Sequence, residues 1–330
     1  MKKILPFQFT DYLFTYNYGI HYYGILLNNP EGAKLLYNQY IIPYLFDDGS
    51  YQEMNYYFLS DNTPVELDPN KGLPPIFEEK VILNKETTKS FKERKLEFLD
   101  LVKNTIDEGK YFIGWWDEFY VSGTHYYNSK SFSHDYCIIG YDDSCFYSVG
   151  YYSGTPQVIS VAYDDFFQAN EALSINHALI WTLNPKYIFN LDLKLICKGI
   201  ESYISGVVPN TENRDYSLHV FGKNVLYKLS EIIERDNYID IRFIHTLKQQ
   251  KLLMKERIEH IYRTYSISDK VHLETLNKIY EQISIIFNLC LKLNITGSNS
   301  ISVNISNGLK RIVQEEYVYF EILKTIKDLL

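Results

Sequence analysis

The chain of 330 residues is 46% hydrophobic and 22% charged, which is ordinary for a globular protein of two domains and argues against disorder. Its net charge of −8, without a long basic run, argues against nucleic acid as the main partner. The four cysteines form no CxxC pair and no metal-binding spacing.

No segment has the pattern of a signal peptide or of a membrane span. We therefore expect a cytoplasmic protein with reduced thiols, without a metal, a cofactor or a membrane partner. The 31 tyrosines, together with many Lys, Asn and Ile residues, suggest an A/T-rich bacterial genome.

The N-terminal part of the chain mixes helices and strands. Amphipathic spacing predicts helices at 17–27, 31–43 and 88–108. The turn-rich residues 60–75 predict a loop. Segments rich in aromatic and β-branched residues, bounded by turn formers, predict strands at 110–116, 136–143, 145–152 and 157–163.

The pattern changes after Asn184 and Pro185. From there, apolar residues recur at i, i+3, i+4 and i+7. Four long segments follow this helical period: 220–235, 239–265, 273–293 and 309–330. The sequence thus predicts an α+β domain over residues 1–185, with a mixed or antiparallel sheet and helices at one side of it, and an all-helical domain over 186–330.

The most informative segment runs from residue 109 to 154. A predicted strand ends at Asp117, a polar loop follows, and His134 begins the next strand, which leads into a hairpin. In papain-like hydrolases the general-base histidine begins a strand of this kind. His134 is therefore the first catalytic candidate, and Asp117, at a strand end in the expected cleft, is the second. The alternative is that His134 only forms hydrogen bonds within a loop.

Several motifs resemble the butirosin-biosynthesis acyltransferase family. They are WDEFYV at 116–121, HDYCIIGYDD at 134–143 and FYSV at 146–149 in the N-terminal part, and FGKNVLYKL at 221–229 and IDIRFIHTLKQQKLLMKERI at 239–258 in the helical part. The resemblance covers most of the chain. It implies a papain-like N-terminal domain and transfer of an acyl group from a carrier-protein thioester to an amine acceptor.

Two departures from the family pattern concern catalysis. The family has a cysteine near the start of the first helix, usually after an Asn, whereas here Asn17 is followed by Tyr18. Relatives carry an Asp at the end of the strand after the hairpin, where this chain has Gly150. The resemblance implies that the Tyr18 region faces His134 across a groove, with the nucleophile and the orienting acid both replaced.

None of the other residues is a clear substitute for the cysteine. Cys137 alternates to the opposite face of the strand that His134 begins, and Cys145 lacks a helix N-terminus that would lower its pKa. Cys197 and Cys290 are expected in the core. Another position on the first predicted helix, His21, is better explained as a core or surface residue than as part of the cleft.

Two functions therefore remain open. The first is an acyl-transfer, amide-forming accessory protein of nonribosomal peptide or related natural-product biosynthesis, with His134 as base and no covalent intermediate. The second is a catalytically inactive papain-like pseudoenzyme that binds a carrier protein or a synthetase partner. A peptidase is disfavoured because the nucleophile is missing. Whether the chain is an enzyme, and whether it forms a homo-oligomer, is left open by the sequence.

Overall fold

The computed structural model describes residues 2–9, 17–57, 75–83, 85, 89–152, 155–209, 216–268 and 270–330. The side chains of residues 17, 18 and 57 lie outside this description, as does the predicted loop at 60–75 apart from its last residue. The chain divides into two compact units: Met1–Gly32 with Leu67–Ile188, and Ala33–Glu66 with Phe189–Leu330. One boundary falls near residue 185, where the hydrophobic pattern changes. Residues 33–66, which the sequence placed in the N-terminal domain, belong to the second unit.

The described strands, in chain order, are β1 (Lys3–Ile4), β2 (Ile42–Asp47), β3 (Gln52–Tyr57), β4 (Ile76–Ile82), β5 (Tyr111–Asp117), β6 (Ser133–Tyr141), β7 (Cys145–Tyr152), β8 (Thr155–Ala162), β9 (His177–Leu183) and β10 (His219–Phe221). The described α-helices are α1 (Asn17–Leu26), α2 (Ala33–Asn38), α3 (Phe91–Asp107), α4 (Tyr163–Glu171), α5 (Leu193–Ser205), α6 (Asn224–Asp236), α7 (Ile241–Thr264), α8 (Lys270–Thr296), α9 (Asn299–Glu315) and α10 (Val318–Lys327). A 3-10 turn covers Glu118–Tyr120.

The start of one predicted helix is explained by local capping, and the early end of another is explained by strand pairing. Helix α3 starts at Phe91 because Ser90 forms a capping box with Glu93: the Glu93 carboxylate accepts from the Ser90 backbone N–H at 2.8 Å. The helix predicted at 31–43 is shorter than expected. It ends at Asn38, Tyr40 has a left-handed φ of 56°, and the chain enters β2, whose pairing with β3 overrides the helical spacing.

The first unit is built on an antiparallel sheet. Its strand order among the described residues is β4-β9-β5-β6-β7-β8, with β1 paired to the end of β6. The strands β5 to β8 follow one another as neighbours, as the run of predicted strands indicated. The prediction of an α+β fold is thus confirmed, and of the two kinds of sheet predicted, mixed or antiparallel, the structure has the antiparallel one.

Helices cover both faces of this sheet, not one side as the sequence predicted. On one face, Tyr136 of β6 donates to Asn170 of α4 at 2.7 Å, and Phe98 of α3 packs on Phe112 of β5. On the other face, α1 packs on β6 and β7. The two faces carry alternate residues of each strand, so neighbours on β6 meet different helices.

The second unit is mainly helical, as predicted for residues 186–330. It also contains a three-stranded antiparallel sheet in the order β10-β2-β3, so the all-helical prediction needs a correction at the short strand His219–Phe221. That strand forms because its residues pair with 44–46 of β2, a partner that lies far away in sequence. The buried faces of α5 to α10 form the core of this unit.

A buried arginine closes the end of α2 in the second unit. The Arg257 guanidinium on α7 donates to the carbonyl oxygens of Tyr37 and Gln39, both at 2.5 Å. These carbonyls lie at the C-terminus of a short helix, where no backbone partner is available. None of the described helices combines the length and the apolar character needed to cross a membrane.

Candidate functional site

The start of β6 places His134 and Asp135 at the sheet surface of the first unit. His134 Nδ1 lies 3.1 Å from the carbonyl oxygen of Asp135 and 3.2 Å from its carboxylate Oδ1. Both atoms are acceptors, so Nδ1 carries the ring proton and Nε2 carries the lone pair of the neutral ring. The side chain of His134 is 33% exposed. This is the geometry of an oriented base.

The resemblance implies an orienting acid on the next strand, but the carboxylate that lies beside His134 is that of Asp135. The position expected for that acid, Gly150 on β7, has no room for a side chain: an added Cβ would lie 2.8 Å from the ring of Tyr152. The hydroxyl of this tyrosine and Ser148 Oγ form a buried hydrogen bond of 2.9 Å beside it. The acid beside His134 is thus its neighbour in sequence, Asp135, which the sequence pattern did not indicate.

Helix α1 brings a second histidine to the same carboxylate. His21 is completely buried, and its Nε2 lies 3.1 Å from the carbonyl oxygen of Val149. Its Nδ1 lies 3.4 Å from Asp135 Oδ2. Burial lowers the pKa of His21, and the negative charge of Asp135 opposes this effect. The sequence favoured a core or surface role for His21. It is buried, but it also touches the site.

Tyr18 can be placed only by its backbone. It lies in the first turn of α1, three residues before His21, on the helix that packs against β6 and β7. Its side chain is outside the described residues, so its expected position opposite His134 stays a prediction.

Asp117 organises the loop after β5. Its Oδ1 accepts from the backbone N–H groups of Phe119 and Phe132, each at 3.0 Å, and its Oδ2 accepts from Ser131 Oγ at 2.6 Å. Burial alone would raise the pKa of Asp117, but these hydrogen bonds outweigh it and the pKa is lowered. The three donors make Asp117 a support for the loop at 118–132. The structure does not bring it into contact with the His134 ring.

An aromatic surface, formed by Tyr126, Tyr127 and Phe132 of this loop, lies beside His134. The ring centroid of Phe132 is 4.7 Å from that of Tyr126 and 5.9 Å from that of His134. Tyr127 and Phe132 are exposed. Under the loop, Glu118 is buried, and burial raises the pKa of its carboxyl against the attraction of His134. The clustering of aromatic residues in 119–132 was the sequence signal for this surface.

The four thiols do not have the properties of an activated nucleophile. All are free, and burial raises the pKa of each one, that of Cys290 to about 12. Cys145 also donates to Asp142, which raises its pKa further. A reactive cysteine needs the opposite shift.

No group of three or more His, Cys, Asp or Glu side chains that could hold a metal ion is found in the part of the chain that the structure describes. No protein-family model matches the chain, and no curated protein matches it in sequence. The resemblance to the butirosin-biosynthesis acyltransferases therefore stays a prediction from the motifs.

Proposed function

We propose that this chain is an acyl-transfer, amide-forming accessory protein of nonribosomal peptide or related natural-product biosynthesis. The acyl donor is a thioester held by an acyl or peptidyl carrier protein, and the acceptor is an amine. The role of His134 is argued from its geometry, whereas the donor and the pathway are argued from the motifs. The free state of all four cysteines favours the cytoplasm as the place of action.

The observation that carries the proposal is the contact between His134 and Asp135. The carboxylate lies 3.2 Å from Nδ1 and holds the proton on that nitrogen, so Nε2 is the basic atom of the ring. The partial exposure of the ring lets a substrate approach it. An oriented, accessible imidazole is the usual general base at neutral pH.

The reaction needs one base and no enzyme nucleophile. The amine nitrogen attacks the thioester carbonyl carbon, and His134 Nε2 takes a proton from that nitrogen. The C–N bond forms, the C–S bond breaks, and the carrier thiolate leaves. A thioester is already activated, so holding the amine and the carbonyl together supplies much of the rate.

The properties of the thiols favour direct aminolysis over an acyl-enzyme. Burial raises the pKa of Cys137, and this residue alternates to the opposite face of β6 from His134. Cys145 lies at the turn of the β6–β7 hairpin, where its thiol donates a hydrogen bond to Asp142. Neither thiol has the base that a cysteine nucleophile requires.

The aromatic surface favours a second candidate, a protein that binds a carrier or synthetase partner without catalysis. Exposed tyrosine and phenylalanine residues supply apolar area with little loss of side-chain entropy, which suits a docking surface. Both candidates use the same face of the first unit, and they differ in whether His134 turns over a substrate.

The deciding experiment is intact-protein mass spectrometry with product analysis. The chain is incubated with an acyl-loaded carrier protein and a panel of amines, as wild type and as His134→Ala. We expect amide product from the wild type, no acyl adduct on the chain, and survival of activity after thiol alkylation. The His134→Ala variant should be roughly 10²- to 10⁴-fold slower, as expected for loss of a general base.

The matched control is His260→Ala, a histidine on α7 in the second unit, which should retain wild-type turnover. An acyl adduct on Cys145 would refute direct aminolysis. Equal product from wild type and His134→Ala would remove His134 from the mechanism. Carrier binding without any product, unchanged within about tenfold in His134→Ala, would favour the binding protein.

A further inference from the structure

The ring of His21 has two nitrogens in different surroundings. Nε2 lies 3.1 Å from the carbonyl oxygen of Val149. A carbonyl oxygen can only accept a hydrogen bond, so Nε2 carries a proton. His21 is 0% exposed, so its hydrogen-bonding state is set by the groups packed around it.

The other nitrogen faces a carboxylate. Nδ1 lies 3.4 Å from Asp135 Oδ2 and makes no hydrogen bond with any described residue. With the proton on Nε2, the Nδ1 of a neutral ring has a lone pair and acts as an acceptor. Two acceptors would then face each other at a buried position, which is unfavourable. A proton between them turns the repulsion into an attraction between an N–H group and a carboxylate.

We propose that His21 and Asp135 share one proton between Nδ1 and Oδ2, and that His21 thereby fixes the carboxylate that orients His134. The location of the proton follows from the packing alone. The consequence for His134 as a base rests on the proposed function.

The surrounding charges favour a shared proton over an isolated imidazolium. Burial lowers the pKa of His21, so a positive ring is tolerated only together with the Asp135 carboxylate. Cys137 of β6 and Tyr152 of β7 also lie within electrostatic reach of Asp135, and burial raises the pKa of both. These two groups are neutral near pH 7, so they add no charge beside the carboxylate. The nearby His134 also lowers the pKa of His21.

The shared proton gives each oxygen of Asp135 its own imidazole. Oδ1 faces His134 Nδ1 at 3.2 Å, and Oδ2 faces His21 Nδ1 at 3.4 Å. A carboxylate held at both oxygens cannot rotate, so the ring of His134 keeps one orientation. His21 is thus a positioning residue, because it acts on the base through Asp135 and lies away from the substrate.

The test is two-bond ¹H–¹⁵N spectroscopy of the full chain labelled with ¹⁵N-histidine, on wild type and Asp135→Asn. Among the eight histidines, His21 is the buried one, and its Nε2 proton should exchange most slowly. In the wild type at pH 7 we expect Nδ1 of His21 to have the shift of a protonated or proton-sharing nitrogen. In Asp135→Asn the amide can donate its own N–H to Nδ1. The ¹⁵N chemical shift of Nδ1 should then be that of an unprotonated nitrogen.

An unprotonated Nδ1 in the wild type, with the same ¹⁵N chemical shift as in Asp135→Asn, would refute the proposal of a shared proton. A proton on Nδ1 with a bare Nε2 would overturn it as well. Both outcomes are visible without any activity. Absence of turnover in the wild type would contradict the proposed function alone.

The positioning role has its own readout in the kinetics. His21→Asn should lower kcat about tenfold and leave KM unchanged, because the residue acts on the base and does not touch substrate. His260→Asn is the matched control and should change neither. A change in KM alone, or no change in kcat, would refute positioning. If His21→Asn does not fold, His21→Gln takes its place, and an unchanged kcat in that variant would refute positioning.

Discussion

The two units each contain a cluster of ionisable side chains, and the clusters differ in their exposure to solvent. In the first unit, His21, Asp135 and His134 meet where α1 packs on β6. His134 is 33% exposed and Asp135 is 25% exposed, and one buried nitrogen, Nδ1 of His21, has no hydrogen bond among the described residues. This cluster can exchange protons with solvent and with a ligand.

The cluster in the second unit is closed. Lys251 of α7 forms an ion pair with Glu316 at the end of α9, with side chains 0% and 2% exposed. The Lys251 ammonium also donates to the hydroxyl of Tyr203 on α5 at 2.6 Å, and that hydroxyl donates to the Glu316 carboxylate at 2.7 Å. Burial lowers the pKa of Lys251, and the attraction of Glu316 opposes it.

Charge and burial alone therefore do not identify a functional site. Each cluster contains a fully buried ionisable group, His21 in the first and Lys251 in the second. The useful distinction is exposure, because the groups around Lys251 are closed off from solvent, whereas His134 and Asp135 are partly exposed. We expect the first kind of cluster to determine stability and the second kind to determine activity.

The largest effect is expected from breaking the closed cluster. Lys251→Met leaves the Glu316 carboxylate buried without its cation, which should lower the free energy of unfolding by about 3 to 5 kcal/mol. Urea denaturation of the full chain measures this change. Adding Glu316→Leu to the same chain should recover most of the loss, because no unpaired charge then remains.

The matched control is the exposed ion pair between Lys327 and Glu201, whose side chains are 52% and 44% exposed. Lys327→Ala should cost less than about 1 kcal/mol, because solvent screens an exposed pair. A Lys251→Met variant as stable as Lys327→Ala would show that burial of an ion pair does not mark a structural cluster here.

A smaller effect is expected from Asp117, which lies in the first unit but is fully hydrogen-bonded. Asp117→Ala leaves the backbone N–H groups of Phe119 and Phe132 without their acceptor and should lower the free energy of unfolding by about 2 to 3 kcal/mol. Because the pKa of Asp117 is lowered in the folded state, its contribution is present above pH 3.8 and is lost as the pH falls through the folded pKa. Urea denaturation at neutral and at acid pH measures both changes.

Asp100→Ala, at an exposed position of α3, is the control and should change stability by less than about 0.5 kcal/mol. Asp117→Asn tests the catalytic alternative, because the amide keeps one acceptor oxygen. Full turnover per folded molecule in this variant would assign Asp117 to the loop. A loss as large as that of His134→Ala would return it to the catalytic groups.

Elements with strong local signals were predictable from the sequence. The strands β5 to β8 follow runs of aromatic and β-branched residues, and α3 combines a capping box with a periodic apolar face. The early end of α2 was not predictable, because the pairing of β2 with β3 overrides the helical spacing. The short strand β10 was not predictable either, because it pairs with β2 across a long sequence separation. The assignment of residues 33–66 to the second unit has the same cause.

The position of His134 at the start of a strand was predictable, but the residues that contact it were not. Nothing in the sequence shows that the carboxylate of Asp135 turns back towards His134 Nδ1. The contact of this carboxylate with His21 depends on the packing of α1 across β6 and β7, over a separation of more than one hundred residues. The structural role of Asp117 was hidden for a similar reason, since its donors Ser131 and Phe132 lie at the far end of the loop.

The smallest expected effect concerns Glu118, which is buried under the loop next to His134 and falls between the two kinds of cluster. Burial raises the pKa of its carboxyl above the ordinary 4.5, so the folded state binds this proton more tightly than the unfolded state. Its contribution to stability is therefore fully present below pH 4.5 and is lost as the pH rises through the folded pKa. Glu118→Gln does not titrate, so at pH 7 it should be more stable than wild type by about 1 kcal/mol or less, and this advantage should disappear below pH 4.5.

Urea denaturation at both pH values measures the difference, with the exposed Glu231→Gln as a control expected to stay within about 0.5 kcal/mol of wild type. A Glu118→Gln variant that is less stable than wild type at pH 7 would show that the attraction of His134 outweighs burial. Glu118 would then belong with the ionisable groups that interact with His134.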